Sequence, residues 1–218
     1  MFITLEGPEG SGKTTQMKRI AKWLEASGKR FVMTRQPGGT SIGGQIRKIL
    51  LHPDNHDLSS STELLLYMAD RAQHLEEMIV PALDSGKVVV CDRYFDATMV
   101  YQGYARGLDK KTIRDLHRLT CRNLMPDLTL LLDVSPQVGL ARAWKRIGSD
   151  AMQAQESRFE KETLAFHQRV REGYLELARK EPDRFVRIDA TADEQKVGTQ
   201  VENALSVHLS SSDTVGLD

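Results

Sequence analysis

The stretch that decides the fold lies near the start of the chain, where residues 2–14 read FITLEGPEGSGKT. Residues 2–6 form a short, mostly apolar run ending in a carboxylate, which is typical of a strand buried on both faces of a parallel sheet. Residues 7–14 match the pattern G-x-x-x-x-G-K-[ST], and an amphipathic helical stretch begins at Lys13. Such a loop between a strand and a helix predicts a phosphate site, because backbone amides and the positive helix end surround the anion.

Each residue type in this loop has a separate task. The glycines allow the backbone to wrap closely around phosphate oxygens. Lys13 is expected to reach the β- and γ-phosphates of ATP, and the Thr14 hydroxyl is expected to ligate Mg²⁺. The predicted nucleotide-binding residues are Gly7, Pro8, Glu9, Gly10, Ser11, Gly12, Lys13, Thr14 and Thr15. The pattern specifies phosphate binding and leaves the reaction open.

Beyond the loop, short β-branched runs alternate with stretches of helical period, which predicts an α/β fold with a parallel sheet. The candidate strands are Phe2–Glu6, Arg30–Thr34, Lys87–Asp92, Leu128–Asp133 and Phe185–Asp189. Because ligands of such sheets bind beyond the carboxyl ends of the strands, we expect Glu6, Asp92 and Asp133 to point toward one crevice.

The helical stretches have clear ends. We predict one helix from Lys13 to about Ser27, before Gly28, and another from Thr62 to Leu83, before Gly86. Pro136 suits the first turn of a further helix. The polar segment 147–157 interrupts two helical patterns and is a candidate mobile lid. The small, polar residues 210–218 are expected to form a disordered tail.

Composition narrows the class of protein. The 30 basic and 30 acidic side chains balance, which argues against broad binding to nucleic acid or to a membrane surface. Cys91 and Cys121 match no metal spacing and are expected to be reduced, buried thiols. Neither a signal peptide nor an apolar run long enough to cross a bilayer is visible, so we expect a cytoplasmic protein.

Five further stretches, taken in order, resemble the thymidylate kinase family. They are TRQPGGT at 34–40, TELLLYMADRAQ at 62–73, DRYFDATMVYQG at 92–103, GLARAWKR at 139–146 and RFEKETLAFHQRVREGY at 158–174. The resemblance extends to about residue 209 and implies a P-loop NTPase-like, doubly wound parallel sheet with helices on both faces and a helical lid at about 142–158. It also implies one kinase domain over 1–209 that forms a homodimer.

The resemblance assigns an acceptor site for thymidine monophosphate. Tyr67 and Arg71 share a helix face; the family has an aromatic ring, usually Phe, that stacks on thymine and an arginine that meets a base carbonyl. The other implied contacts are Arg47 and Arg93 with the acceptor phosphate, Thr98 and Gln102 with the base, Tyr101 near the 2′ position and Glu9 with the 3′-hydroxyl. Asp92, at a strand end, is expected to hold Mg²⁺ through water.

The catalytic arginine is expected to come from the lid. Some family members carry an arginine at the position of Gly10, which cannot serve here. The chain therefore resembles the members whose lid supplies the arginine that covers the moving phosphate. Arg146 is the first choice, with Arg142 and Arg158 as alternatives because the lid departs from the usual pattern. Gln36 also departs from the usual Glu.

Two other interpretations remain open. A kinase for another nucleoside monophosphate would differ only in its base pocket. A nucleotide-binding regulator without catalysis is a different class, and the set Lys13, Thr14, Asp92 and Arg93 argues against it. A GTPase would need an N-K-x-D motif, and the sequence has none.

Overall fold

Five parallel strands form the sheet of the described part of the molecule, in the order β2-β3-β1-β4-β5. The computed structural model describes residues 1–149 and 154–212, with side chains up to residue 209. The strands are β1 (Phe2–Glu6), β2 (Phe31–Arg35), β3 (Val88–Asp92), β4 (Leu128–Asp133) and β5 (Phe185–Asp189). The predicted parallel α/β fold is confirmed, and the predicted strands differ by one residue only at β2 and at the start of β3.

Helices connect the strands and cover both faces of the sheet. They are α1 (Lys13–Ala26), α2 (Ser41–Leu51), α3 (Ser60–His74), α4 (Val80–Asp84), α5 (Phe95–Thr98), α6 (Lys110–Cys121), α7 (Pro136–Ile147), α8 (Leu164–Lys180) and α9 (Glu194–Ser212). Two π-helical segments, Leu75–Ile79 and Met99–Ala105, continue α3 and α5. None of the described helices is long and apolar enough to cross a bilayer.

Side chains of alternate strand residues build two cores, one on each face. On the first face, Phe2 and Leu131 pack with residues of α2, α3, α6 and α8. On the second face, Ile3 and Leu130 pack with residues of α1 and α9. Because both faces are covered, the strands contain long apolar runs. Cys91 and Cys121 are buried free thiols in the first core, as predicted.

The helix ends follow local capping rules. The Ser59 side chain accepts a hydrogen bond from the Thr62 amide and caps α3, which therefore begins two residues before the predicted start. Pro136 occupies the first turn of α7, as predicted. The expected tail begins inside the last helix, which ends at Ser212; residues 213–218 lie outside the described residues, as do residues 150–153 of the expected lid.

A buried ionic cluster fixes Arg158, at the end of the expected lid. Glu63 of α3 is fully buried and accepts hydrogen bonds from Arg158 at 2.6 Å, from Gln102 at 2.8 Å and from Arg106 at 3.3 Å. The Arg158 guanidinium also donates to the Leu50 carbonyl. These contacts join α2, α3 and the second π-helical segment to the end of the expected lid.

Of the three carboxylates expected in one crevice, only Asp92 lines it. Glu6 is fully buried, where it accepts hydrogen bonds from the Tyr94 amide and the Tyr174 hydroxyl. Asp133 forms ion pairs with Arg171 and Arg187. The expectation failed for both because β1 and β4 end against packed helices and charged side chains.

Candidate active site

A cleft opens where the phosphate loop and the end of β3 meet. The predicted site residues that line it are Glu9, Gly10, Ser11, Gly12, Lys13, Thr14, Arg47, Tyr67, Arg71, Asp92, Arg93, Thr98, Tyr101, Gln102 and Arg146. The predicted residues that do not line it are Gly7, Pro8, Thr15, Arg142 and Arg158. The fold therefore brings most of the residues proposed for donor and acceptor into one space.

The phosphate loop turns through glycines in left-handed conformations. Gly12, the N-cap of α1, has φ +94°. Gly10 has φ +67°, and a Cβ at this position would lie 1.9 Å from the carbonyl oxygen of Gly139 in α7. No side chain fits there, which excludes an arginine at position 10. The same close approach brings α7, which carries Arg142 and Arg146, directly against the loop.

Lys13 begins α1 and folds its ammonium group back onto the loop. Its Nζ donates to the carbonyl oxygens of Gly7 and Pro8, each at 3.1 Å, and to Ser11 Oγ at 3.4 Å. Burial and the neighbouring Arg93 guanidinium lower the pKa of Lys13 to about 8. A phosphate group beside the lysine would favour its charged form and raise that pKa again.

Asp92 and Thr14 suit a magnesium ion. Both line the cleft, and the buried Oδ1 of Asp92 has no hydrogen-bond partner among the described residues. Mg²⁺ prefers oxygen ligands and keeps several waters, so one hydroxyl and one nearby carboxylate are a fitting set. The described residues contain no cluster of three or more His, Cys, Asp or Glu side chains that could hold a metal without the nucleotide.

Arg93 is held in an unusual conformation at the end of β3. Its φ is +68°, which is rare for a residue with a side chain. The guanidinium donates to the Tyr174 hydroxyl at 3.0 Å and to Glu9 Oε1 at 3.1 Å, and it lies 5.0 Å from the centre of the Tyr101 ring. Since strained backbone is found mainly at functional sites, this geometry supports a role for Arg93 in the cleft.

The base-pocket arginine is buried and is held by neutral acceptors. Arg71 is 1 % exposed and donates to Gln36 Oε1 at 3.0 Å, to Thr98 Oγ1 at 2.6 Å and to the Tyr94 carbonyl at 3.1 Å. The described residues provide no carboxylate within ion-pair distance of it. A fixed guanidinium of this kind can still donate toward a carbonyl group in the cleft.

Two further side chains of the predicted base pocket share the cleft. Tyr67 lies one turn before Arg71 on α3, and burial raises its pKa, so it is a neutral phenol. Gln102 donates through Nε2 to Glu63. Because a carboxylate only accepts hydrogen bonds, this contact fixes the amide orientation and leaves Gln102 Oε1 as the acceptor.

Arg47 is paired with a residue that no sequence pattern indicated. Its Nε lies 2.9 Å from Glu156 Oε1 and its Nη2 lies 2.7 Å from Glu156 Oε2, while Nη1 donates to the Pro37 carbonyl at 2.9 Å. The Arg47 contacts lower the pKa of Glu156. Glu156 thus takes the bidentate position on Arg47 that a phosphate group could occupy.

The three lid arginines lie in different surroundings. Arg146, in the last turn of α7, lines the cleft. Arg142 donates to the Ala190 carbonyl at 2.8 Å. Arg158 is 5 % exposed and is paired with Glu63. On geometry, Arg146 alone of the three lines the cleft together with the phosphate loop.

Sequence reasoning did not name nine of the residues that line the cleft: Arg35, Gln36, Pro37, Leu51, Tyr94, Ala97, Glu156, Phe159 and Glu160. Gln36 stood out in the sequence only as a departure from the family pattern. Phe159 and Glu160 lie in the RFEKE stretch that supported the resemblance. Burial and the nearby Glu9 carboxylate raise the pKa of Glu160. The position of Phe159 and Glu160 in a family-like motif just after the lid was the signal that could have identified them.

The fold and the cleft together define a class of protein. Its parts are those of a phosphate-loop kinase with a nucleotide acceptor: a phosphate loop after β1, a strand-terminal Asp92-Arg93 pair and, in the same cleft, a buried arginine.

The family model described as thymidylate kinase matches residues 5–201, and the chain belongs to the thymidylate kinase family. It is 55% identical over 205 residues to the thymidylate kinase of Desulfosudis oleivorans, covering 94% of this chain and 96% of that one. The thymidylate kinase of Desulforapulum autotrophicum is 52% identical over 218 residues, covering 100% and 96%. The crystal structure of thymidylate kinase from Ehrlichia chaffeensis superimposes with a TM-score of 0.74 at 35% identity, covering 94% and 98%.

Proposed function

We propose that this chain transfers the terminal phosphate of ATP to thymidine monophosphate, giving thymidine diphosphate and ADP. The observation that carries the proposal is that one cleft contains both the phosphate loop and the pocket around Arg71. A donor and an acceptor bound in one cleft can react directly, so the reaction needs no covalent enzyme intermediate.

The donor half acts by charge and position. Lys13 and the loop amides hold the β- and γ-phosphates, and Thr14 with Asp92 would hold Mg²⁺, Asp92 through water. The ion neutralises charge on the phosphate oxygens when it is bound. Arg146, at the end of α7, covers the transferred phosphate, whose charge spreads over its equatorial oxygens during transfer.

The acceptor half holds the monophosphate at both ends. Arg93 binds its phosphate, and Arg47 joins when that phosphate replaces Glu156. Tyr67 stacks on the base, Arg71 donates to a base carbonyl, and Gln102 Oε1 accepts from a ring N–H. Thymine offers a carbonyl beside an N–H, whereas cytosine and adenine offer neither in that arrangement, so their binding would leave buried groups unpaired. Tyr101 and Glu9 face the sugar, at the 2′ and 3′ positions.

The assembly and the location are part of the same proposal. We expect a homodimer in the cytoplasm, where the enzyme takes part in dTTP biosynthesis. Three exposed apolar side chains, Ile42, Ile49 and Leu65, belong to the neighbouring helices α2 and α3 and support an interface there. Light scattering coupled to size exclusion would measure the mass.

An ADP-release assay over a panel of nucleoside monophosphates tests the reaction. Thymidine monophosphate should give a kcat/KM about 10² or more above those of the cytidine and adenosine monophosphates, because mismatched bases leave Arg71 and Gln102 unpaired. Lys13→Ala should abolish turnover while its melting temperature stays near that of the wild type. If another monophosphate were the better acceptor, the assignment of thymidine monophosphate as substrate would be wrong. If no acceptor gave turnover, the protein would instead be a nucleotide-binding regulator.

A further inference from the structure

One buried histidine beside the cleft has no role in the proposed mechanism. His167 lies on α8 and is 1 % exposed. Its Nδ1 lies 3.3 Å from Glu9 Oε2, and its Nε2 has no hydrogen-bond partner among the described residues. A polar ring is costly to bury, so a histidine with a single polar contact is informative about that contact.

Glu9 divides its two oxygens between different tasks. Oε1 accepts hydrogen bonds from the Tyr101 hydroxyl at 2.5 Å and from Arg93 at 3.1 Å. Oε2 is buried and makes no hydrogen bond of good geometry with the described residues, although His167 Nδ1 approaches it to 3.3 Å. Oε2 therefore keeps acceptor capacity for a ligand.

The Glu9 carboxylate is ionised throughout the working pH range. Burial alone would raise its pKa, but His167, Arg93 and Lys13 outweigh burial and lower the pKa to about 2. An ionised carboxylate next to a guanidinium tends to turn both oxygens onto it in a bidentate pair. In such a pair Glu9 would occupy Arg93 and would point neither oxygen at the sugar.

We infer that His167 is a positioning residue for the sugar of the acceptor. Its Nδ1–H draws Oε2 of Glu9 away from Arg93, so that Oε2 faces the 3′-hydroxyl and Arg93 keeps donors for the acceptor phosphate. The inference rests on the proposed role of Glu9 as the residue that receives the 3′-hydroxyl. It adds a specificity-determining contact on α8, behind the phosphate loop.

The experiment compares thymidine monophosphate with its 3′-deoxy analogue in the full-length enzyme. The wild type should prefer the hydroxylated acceptor by about ten- to a hundredfold in kcat/KM, the range for a hydrogen bond to a charged group. His167→Leu should reduce that preference at least about fivefold, through KM for the hydroxylated acceptor. The 3′-deoxy acceptor should lose less, because only the pairing of Glu9 with Arg93 affects it, and KM for ATP should stay near that of the wild type.

Two amide variants separate positioning from packing. His167→Asn places an amide nitrogen near the position of Nδ1, whereas His167→Gln places it near Nε2. Only His167→Asn should retain most of the 3′-hydroxyl preference. His117→Leu is the matched control, because His117 is equally buried, stacks on Phe95 and does not line the cleft; it should lower the melting temperature without changing the preference.

The results distinguish a failure of the inference about His167 from a failure of the proposed role of Glu9. Equal losses with both acceptors in His167→Leu, or equal behaviour of the Asn and Gln variants, would make His167 a packing residue and overturn the inference. Because the amide pair is compared directly, this outcome can be read even if His167→Leu folds poorly. If Glu9→Gln leaves the 3′-hydroxyl preference intact, the proposed role of Glu9 fails, and the inference about His167 fails with it.

Discussion

The phosphate loop and the acceptor pocket face each other in one cleft but are built in opposite ways. The loop is one continuous stretch, 7–15, whose shape follows from glycines and from the start of α1. The pocket collects side chains from α2, α3, α5, the chain after β3 and the second π-helical segment. Chain-local geometry forms the donor half, whereas buried polar contacts over long sequence distances hold the acceptor half.

This difference predicts whether substitutions in each half lower kcat or the stability of the fold. The loop is held in place by its own backbone and by its contact with Gly139. Substitution of a loop side chain should therefore affect the reaction more than the stability of the fold. Changes in the pocket act on stability as well, since Arg71, Thr98 and Gln102 are buried and each needs its hydrogen-bond partners. We therefore expect substitutions on the donor side to lower kcat most and substitutions on the acceptor side to lower the free energy of unfolding.

Arg146→Ala tests whether the donor half is complete without α7. Close packing between Gly10 and Gly139 leaves no room for an arginine in the loop. We therefore expect the cation over the moving phosphate to come from the helix that makes this contact. The substitution should lower kcat by about 10³-fold, the lower end for arginine fingers, while the melting temperature changes little. Single-turnover kinetics would measure the loss.

Lys145→Ala, an exposed neighbour on the same helix, is the control and should keep kcat. A smaller loss is expected for Arg142→Ala, because Arg142 donates to the Ala190 carbonyl outside the cleft. If variants at Arg142, Arg146 and Arg158 all retain near-normal kcat, the lid does not supply the catalytic charge. The phosphate loop would then supply the charge without the lid, and the donor half would depend on local sequence even more than the comparison of the two halves suggests.

The sequence predicted which residues share the cleft far better than it predicted the contacts among them. The bounds predicted for β1, β4 and β5 are confirmed; β1 and β4 are buried runs that end sharply at a carboxylate. Tyr67 and Arg71 share the cleft, as expected from the family resemblance of the motif that contains them. The contacts of Arg47 with Glu156 and of Glu9 with His167 could not be predicted, because each joins residues more than 100 positions apart, and such partners depend on tertiary packing rather than on local pattern.

Arg158→Ala tests the stability of the acceptor half. The substitution would leave Glu63 buried with Arg106 as its remaining cationic partner, so we expect a loss of about 3 kcal/mol in the free energy of unfolding. We expect kcat to change much less than in Arg146→Ala, because Arg158 does not line the cleft. Urea unfolding followed by circular dichroism would give the stability.

Arg118→Ala is the matched control: Arg118 is exposed and pairs with Asp115 at the surface, so the loss should stay below about 1 kcal/mol. A variant of Arg158 that keeps its stability but loses kcat by orders of magnitude would place Arg158, not Arg146, over the phosphate. It would also mean that the lid segment leaves Glu63 during turnover.

Glu6 lies where the two halves meet and gives the smallest predicted effect. Burial and the nearby Asp96 raise its pKa to about 7, above the ordinary 4.5, so the folded state binds the proton more tightly than the unfolded state. The stabilisation is full below about pH 4.5 and is lost as the pH rises through 7. Between about pH 5 and 7 the contribution of Glu6 to the free energy of unfolding should fall by about 2 kcal/mol. Glu6→Gln should remove this pH dependence.

Wild type and variant must be compared because two histidines act in the opposite direction. Burial lowers the pKa of His74 and of His117 to about 4, so each adds stability as the pH rises from 4 toward 6.5. These contributions are common to both proteins and cancel in the difference between their unfolding free energies, measured by urea titration at several pH values. If that difference is flat from about pH 5 to 7, Glu6 is ionised at an ordinary pKa, and the hydrogen bonds from Tyr94 and Tyr174 offset the cost of burying its charge where the two halves meet.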